Sequence, residues 1–116
     1  MKVNLGTHVS DYAGQIVTEN GNPVLAGVLI ARFVALGHSD LKGDDLVRCL
    51  TLAARLSEGG EITLGTEEIV LILGCIDKNP SINSWVKAYI RYMLDPDGIP
   101  EDLRGQLDKI YAKKAT

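Results

Sequence analysis

The side chains in this sequence that could do chemistry are two histidines, two cysteines and four pairs of neighbouring carboxylates. His8 and His38 stand far apart along the chain, and no Cys, His or Asp falls at metal-ligand spacing around either. Paired carboxylates work as acid and base when their surroundings drive their pKa values apart. Three of the pairs, Asp44/Asp45, Glu67/Glu68 and Glu101/Asp102, fall in the first turns of expected helices, where the helix dipole already accounts for them. The fourth lies in Asp95-Pro96-Asp97-Gly98, which begins like a calcium loop but lacks a glutamate at the downstream position such a loop requires. Gly59-Gly60 and Gly65 fit neither a phosphate-binding loop nor a dinucleotide fingerprint and read as helix stops. These residues point to no enzyme, no metal and no cofactor.

Recognition is a different kind of chemistry, and the stretch before Asp95 has residues for it. Trp85, Tyr89 and Tyr92 recur at i, i+4 and i+7, one stripe of a helix. Val86, Ile90, Met93 and Leu94 form an adjoining apolar face, and Lys87 and Arg91 sit four apart on another. One reading is a core helix with aromatic packing at its edge and a solvated basic pair. The other is an aromatic and basic recognition surface, since Trp, Tyr and Arg dominate interface hot spots. That surface would take a protein partner or, as the alternative, a nucleic acid reached by the same face together with Lys109, Lys113 and Lys114. The segment from Ile99 onward repeats the choice. Leu103, Leu107, Ile110 and Tyr111 make a narrow stripe that either caps the protein's own core or docks on a partner.

The elements that must position these residues follow from punctuation and periodicity. Residues 1–22 are β-compatible runs broken by polar turns, and Asn20-Gly21 is a strong turn dipeptide. They predict an extended arm or small β-hairpin. Pro23 to Leu36 is the first helix, with Pro23 near its start, Gly37 as its stop and apolar residues nearly all round. Its single charge, Arg32, must snorkel or pair. Ser39 or Asp40 can cap a second helix running to about Ser57, whose Leu46, Cys49, Leu50, Ala53 and Leu56 form one amphipathic stripe. A short extended piece at residues 61–64 could pair with the arm. Thr66 caps a third, nearly all-apolar helix, Ser81 a fourth over about Ile82 to Leu94, and Pro100 opens the last. The fold class is mainly α: an irregular bundle of about five helices with an N-terminal arm or hairpin. It forms a single domain over 1–116, made of an arm at 1–22, a helical core at 23–96 and a C-terminal amphipathic helix at 99–113. Helices one and three should form the core, with helix two laid across them.

Composition bounds the rest. The chain has 116 residues, 46% of them hydrophobic and 23% charged, which is enough for one core without metal or disulfide staples. A net charge of −3 argues against electrostatic binding to nucleic acid or to a membrane surface. Cys49 and Cys75 lie in apolar helical patterns and read as reduced, buried small hydrophobes, with a disulfide open only if their helices pack at the same level. No apolar leader or spanning stretch appears, so a cytoplasmic protein is expected.

The order of motifs resembles a group of small uncharacterised tailed-phage and prophage proteins. It begins with Asp11-Tyr12-Ala13-Gly14-Gln15-Ile16-Val17 and the turn Gly21-Asn22-Pro23. An apolar helix, the Arg48 to Leu56 helix, Glu61-Ile62-Thr63-Leu64 and Glu67-Glu68-Ile69 follow, and Ser81 to Pro96 closes the pattern. The resemblance covers roughly residues 11–96 and brings no catalytic residues with it. It implies a phage protein made in the cytoplasm of a bacterial host cell, acting in the virion or on a host protein. The expected function is protein–protein interaction: binding a host or virion protein, itself, or both. Two nearly all-apolar helices in so small a domain make a homo-oligomer the expected state.

Overall fold

The turn at Asn20-Gly21 places both residues at positive φ, 51° and 80°, the pairing a tight two-residue hairpin demands. It joins β2 to β3 among four strands numbered in chain order: β1 Lys2–Asn4, β2 Thr18–Glu19, β3 Asn22–Pro23 and β4 Glu61–Thr63. The helices are α1 Ala26–Leu36, α2 Gly43–Ser57, α3 Thr66–Asp77, α4 Ser84–Leu94 and α5 Glu101–Ala115, with a 3-10 turn at Pro96–Gly98. β2 pairs with β3 across the turn, while β1 pairs antiparallel with β4, Val3 opposite Ile62. The computed structural model describes the backbone of residues 1–115 and the side chains of residues 1–110. The chain is mainly α, with five helices among these residues.

Between β1 and β2 the arm is tied down by main-chain bonds rather than by a continuous ladder. Val9 N–H donates to the Val24 carbonyl at 2.8 Å, Val17 N–H to Val9 at 2.9 Å, and Ala26 N–H to Thr7 at 2.8 Å. The Asp11-x-x-Gly14 motif is a local turn. The Asp11 carboxylate accepts from the Ala13 and Gln15 N–H groups at 2.9 and 3.0 Å, and Gly14 supplies a φ of 83°.

Four helix starts differ from the sequence expectation. Pro23 pairs with Thr18 in the hairpin, so α1 begins three residues later, at Ala26. α2 starts after Lys42, and Asp40 instead binds Lys78 across the loop. Asn83, not Ser81, caps α4, its side-chain oxygen accepting the Val86 N–H at 2.9 Å. Both Ser81 and Asn83 are good capping types, so only the path of the chain decides between them. Gly65, not Thr66, stands at the cap of α3, because Thr66 already lies in the helix; the start is half of a capping box, in which Glu68 reaches back to accept the Gly65 N–H at 2.9 Å and glycine has no side chain to return the bond. At the other end of α1, Gly37 stops the helix as expected, with φ 61°.

One core runs through all these elements. Leu5 of the arm, Ile30 and Val34 of α1, Leu56 of α2, Ile72, Cys75 and Ile76 of α3, and Leu107 of α5 are wholly buried. α1 lies against α2 so closely that a Cβ on Gly27 would stand 2.5 Å from the Leu56 carbonyl oxygen and 2.9 Å from Leu5. Arg32, the one charge of α1, pairs with Glu19 of the hairpin at 2.6 Å, holding hairpin and helix together.

Candidate protein-binding face

α4 projects Trp85, Tyr89 and Tyr92 at helical spacing, and the fold turns all three toward the protein's own chain. Trp85 donates its indole N–H to the Ser10 carbonyl at 2.8 Å, and Tyr89 its hydroxyl to the His8 carbonyl at 3.0 Å. Tyr89 is 1% exposed. Tyr92 donates to the Asp108 carboxylate on α5; burial first, and then that carboxylate, push its phenol up to about 12. An aromatic ring with a polar tip suits this task, since it fills apolar space while satisfying a main-chain carbonyl that has no ladder partner. Trp85 and Tyr89 clasp the arm to the bundle, and Tyr92 ties α4 to α5.

The basic pair is held as well. Lys87 donates to the Asp77 carbonyl at 3.0 Å, and Arg91 pairs with the carboxylates of Asp77 and Asp95. On α5, Leu107 and Ile110 are buried and Leu103 is half-buried, so this stripe caps the core of its own chain. Tyr111 lies outside the residues whose side chains are described. His8 and His38 stay in the arm and in the α1–α2 loop, and no group of three or more His, Cys, Asp and Glu among the described residues could hold a metal ion.

The surplus apolar surface lies elsewhere, on α2. Its inward stripe is Cys49, Leu52, Ala53 and Leu56. Leu46 and Leu50, which periodicity assigns to that stripe, point outward instead and are 43% and 60% exposed; Val47 beside them is 63% exposed. The reason is arithmetic around the helix. Apolar residues at 46, 47, 49, 50, 52, 53, 54 and 56 cover far more than the roughly 100° that one core can take, so a second stripe must face out. Val70 of α3 is 66% exposed and lies with Val47 along the α2–α3 groove. A groove of about 480 Å³ runs between the two helices, with Val47, Leu52, Val70 and Leu71 in its apolar part.

Charges rim the groove. Arg55 pairs with Glu68 and donates to the Thr63 carbonyl at 3.1 Å, fixing the α2 end of the groove to the β4–α3 connection. The Gly65 N–H, and then Arg55, hold the Glu68 carboxyl below its ordinary range. Arg48 stands 4.0 Å from Asp45 one turn away. α2 and α3 also meet at Cys49 and Cys75, whose sulfurs are 3.8 Å apart and buried as free thiols. Burial, and then the neighbouring Cys49, push the Cys75 thiol up to about 12.

The exposed apolar positions that the sequence reading did not single out are thus Leu46, Val47 and Leu50 on α2 and Val70 on α3. The signal available was the excess of apolar positions on the second helix, which periodicity folded into a single stripe. No helix among the described residues is long and apolar enough to cross a membrane. No protein-family model, curated protein or solved structure matches the chain.

Proposed function

We propose that the chain is a small protein-interaction module that binds another protein chain through the outer face of α2 and the α2–α3 groove. The observation that carries this reading is the run of exposed Leu46, Val47 and Leu50 on α2, of which Val47 also lines, with the exposed Val70 of α3, an apolar groove with a charged rim. Scattered exposed aliphatics need no explanation, but a contiguous patch rimmed by polar groups is the form an interaction site takes. The act is binding rather than catalysis. Its setting is the cytoplasm of a bacterium making a tailed phage, with a host or virion protein or the chain itself as partner; the motif order from Asp11 to Pro96 supports that setting.

The test is affinity capture from bacterial lysate with tagged wild-type chain beside three variants, Val47→Glu, Leu50→Glu and Tyr12→Ser. Tyr12 is 74% exposed on the arm, away from α2, and serves as the control. Proteins identified by mass spectrometry should be retained by wild type and Tyr12→Ser and lost with both α2 variants. Equal retention by all four chains sinks the reading.

A further inference from the structure

The chain holds two cysteines, and the fold sets one against the other. Cys49 of α2 and Cys75 of α3 stand 26 residues apart in sequence, are 1% and 0% exposed, and bring their sulfurs to 3.8 Å. Arg55 near the end of α2 meets Glu68 near the start of α3, while Cys49 earlier in α2 meets Cys75 late in α3. The two helices therefore run antiparallel, joined by an ion pair at the β4 end and by two thiols farther along. A disulfide holds its sulfurs about 2.0 Å apart. Side-chain rotation with a small approach of the helices closes the gap from 3.8 Å.

We propose that Cys49 and Cys75 are a modifiable redox pair, oxidised by a low-molecular-weight disulfide to an intramolecular bond that locks α2 onto α3. One cysteine loses its proton to water, and its thiolate attacks the small disulfide. That S–S bond breaks, releasing one thiolate and leaving a mixed disulfide on the protein. The other cysteine, deprotonated in turn, attacks the protein sulfur and expels the second thiolate. The two released thiolates take up the two protons, so two protein thiols are oxidised and one small disulfide is reduced to two thiols. Helix packing makes the second step intramolecular, which keeps the mixed disulfide from accumulating. Burial governs the first step. While the helices are closed, burial and then Cys49 push the Cys75 thiol up to about 12, and a thiol so placed is inert. Attack therefore follows local opening of α2 or α3, and the bond that results opposes the next opening.

The experiment treats the folded full chain with oxidised glutathione and quenches with acid. The intact mass should fall by two hydrogens. Trypsin digestion without reductant should yield the peptide Cys49–Arg55 linked to the peptide Leu56–Lys78, and dithiothreitol should reverse both changes. The oxidised chain should melt about 10 °C above the reduced one, the shift expected from closing a loop of this length. Cys49→Ala and Cys75→Ala should show neither the linkage nor the rise. Each variant is compared with its own untreated form, so any change in core packing cancels. The proposal is overturned if the thiols of the folded wild type stay free under oxidant that links them in urea. It is overturned equally by a stable glutathione adduct or a disulfide between chains in place of the linkage, or by a linked chain that melts no higher.

Discussion

α2 and α4 are both amphipathic, both packed on the same core, and opposite in what they leave over. α4 carries the aromatic residues that interfaces favour, and each finds a partner within the chain: Trp85 at Ser10, Tyr89 at His8, Tyr92 at Asp108. α2 carries only aliphatic residues on its outer side, and Leu46, Val47 and Leu50 remain exposed. The difference is set by what the neighbouring chain needs. The arm from Leu5 to Val17 has isolated bridges in place of a ladder, so carbonyls at His8 and Ser10 are available to donors that can reach them through apolar space. Tyr and Trp are the side chains built to do so. No such need exists above α2, and an aliphatic side chain has no polar tip to offer. Residue type alone therefore does not say which helix keeps its apolar surface exposed.

The sharpest way to break this contrast is at Tyr89. Tyr89→Ala removes a fully buried ring and should cost about 3–5 kcal/mol in urea-induced unfolding, the range for large aromatic truncations. Tyr89→Phe keeps the ring and removes the hydroxyl that binds the His8 carbonyl, at a cost of about 1 kcal/mol. Faster amide exchange at Val9 and Val17 should accompany it, because the arm loses its clasp. A cost below about 1 kcal/mol for Tyr89→Ala would mean that α4 does not hold the arm.

Gly27 tests the inner side of α2. Its added methyl would meet the Leu56 carbonyl oxygen at 2.5 Å, a backbone atom that cannot step aside without moving the end of the helix. Gly27→Ala should therefore destabilise by about 1–3 kcal/mol, as overpacking does, although alanine is the better helix former. Equal or greater stability in thermal melts would show that α1 and α2 are not in this close contact.

The α4–α5 junction responds to pH. Tyr92 has its phenol raised by burial and by Asp108 to about 12, against about 10 in an unfolded chain. The raised value means that the folded state holds its proton more tightly. The stability this contributes is fully present below about pH 10 and is lost as pH rises toward about 12. Denaturant titrations across that window should show a fall in wild type that is smaller in Tyr92→Phe, and the late-ionising part of the phenolate absorbance should vanish in the variant. Identical slopes in the two proteins would separate α5 from Tyr92.

Much of this fold is readable from residue types, and the failures have a common cause. Asn20-Gly21 specifies its turn because positive φ at both positions is a local property. The dipole-matched acids of α2 and α3 and the stop at Gly37 are local too. The pairing of β1 with β4 was conditional on the arm reaching residues 61–64, and it does. What could not be read is which of several acceptable answers the tertiary path selects: Asn83 over Ser81 as a cap, Pro23 in a strand rather than a helix, Asp40 bound to Lys78 rather than capping α2. The exposed side of α2 escapes the sequence for the same reason on a larger scale. A helix with apolar residues at eight positions between 46 and 56 has two candidate core stripes. The choice belongs to α1, whose Gly27 accepts the Leu56 end and so turns Leu50 out.

The smallest expected effect is the one that separates α2 from α4 most cleanly. Val47→Gln and Leu50→Gln remove exposed aliphatic groups that touch little of their own chain, so each should leave the unfolding free energy of the monomer within about 0.5 kcal/mol of wild type. At dilute concentration the melts should overlay. Where chains associate, the same substitutions should lower the concentration dependence of the melting temperature, because whatever binds only the folded state adds to its apparent stability by mass action. A buried role for either residue predicts the reverse pattern: a clear loss at every concentration and no change in its slope. Tyr89→Ala should show that reverse pattern, and the two profiles side by side distinguish a residue that holds the fold from one that the fold holds out.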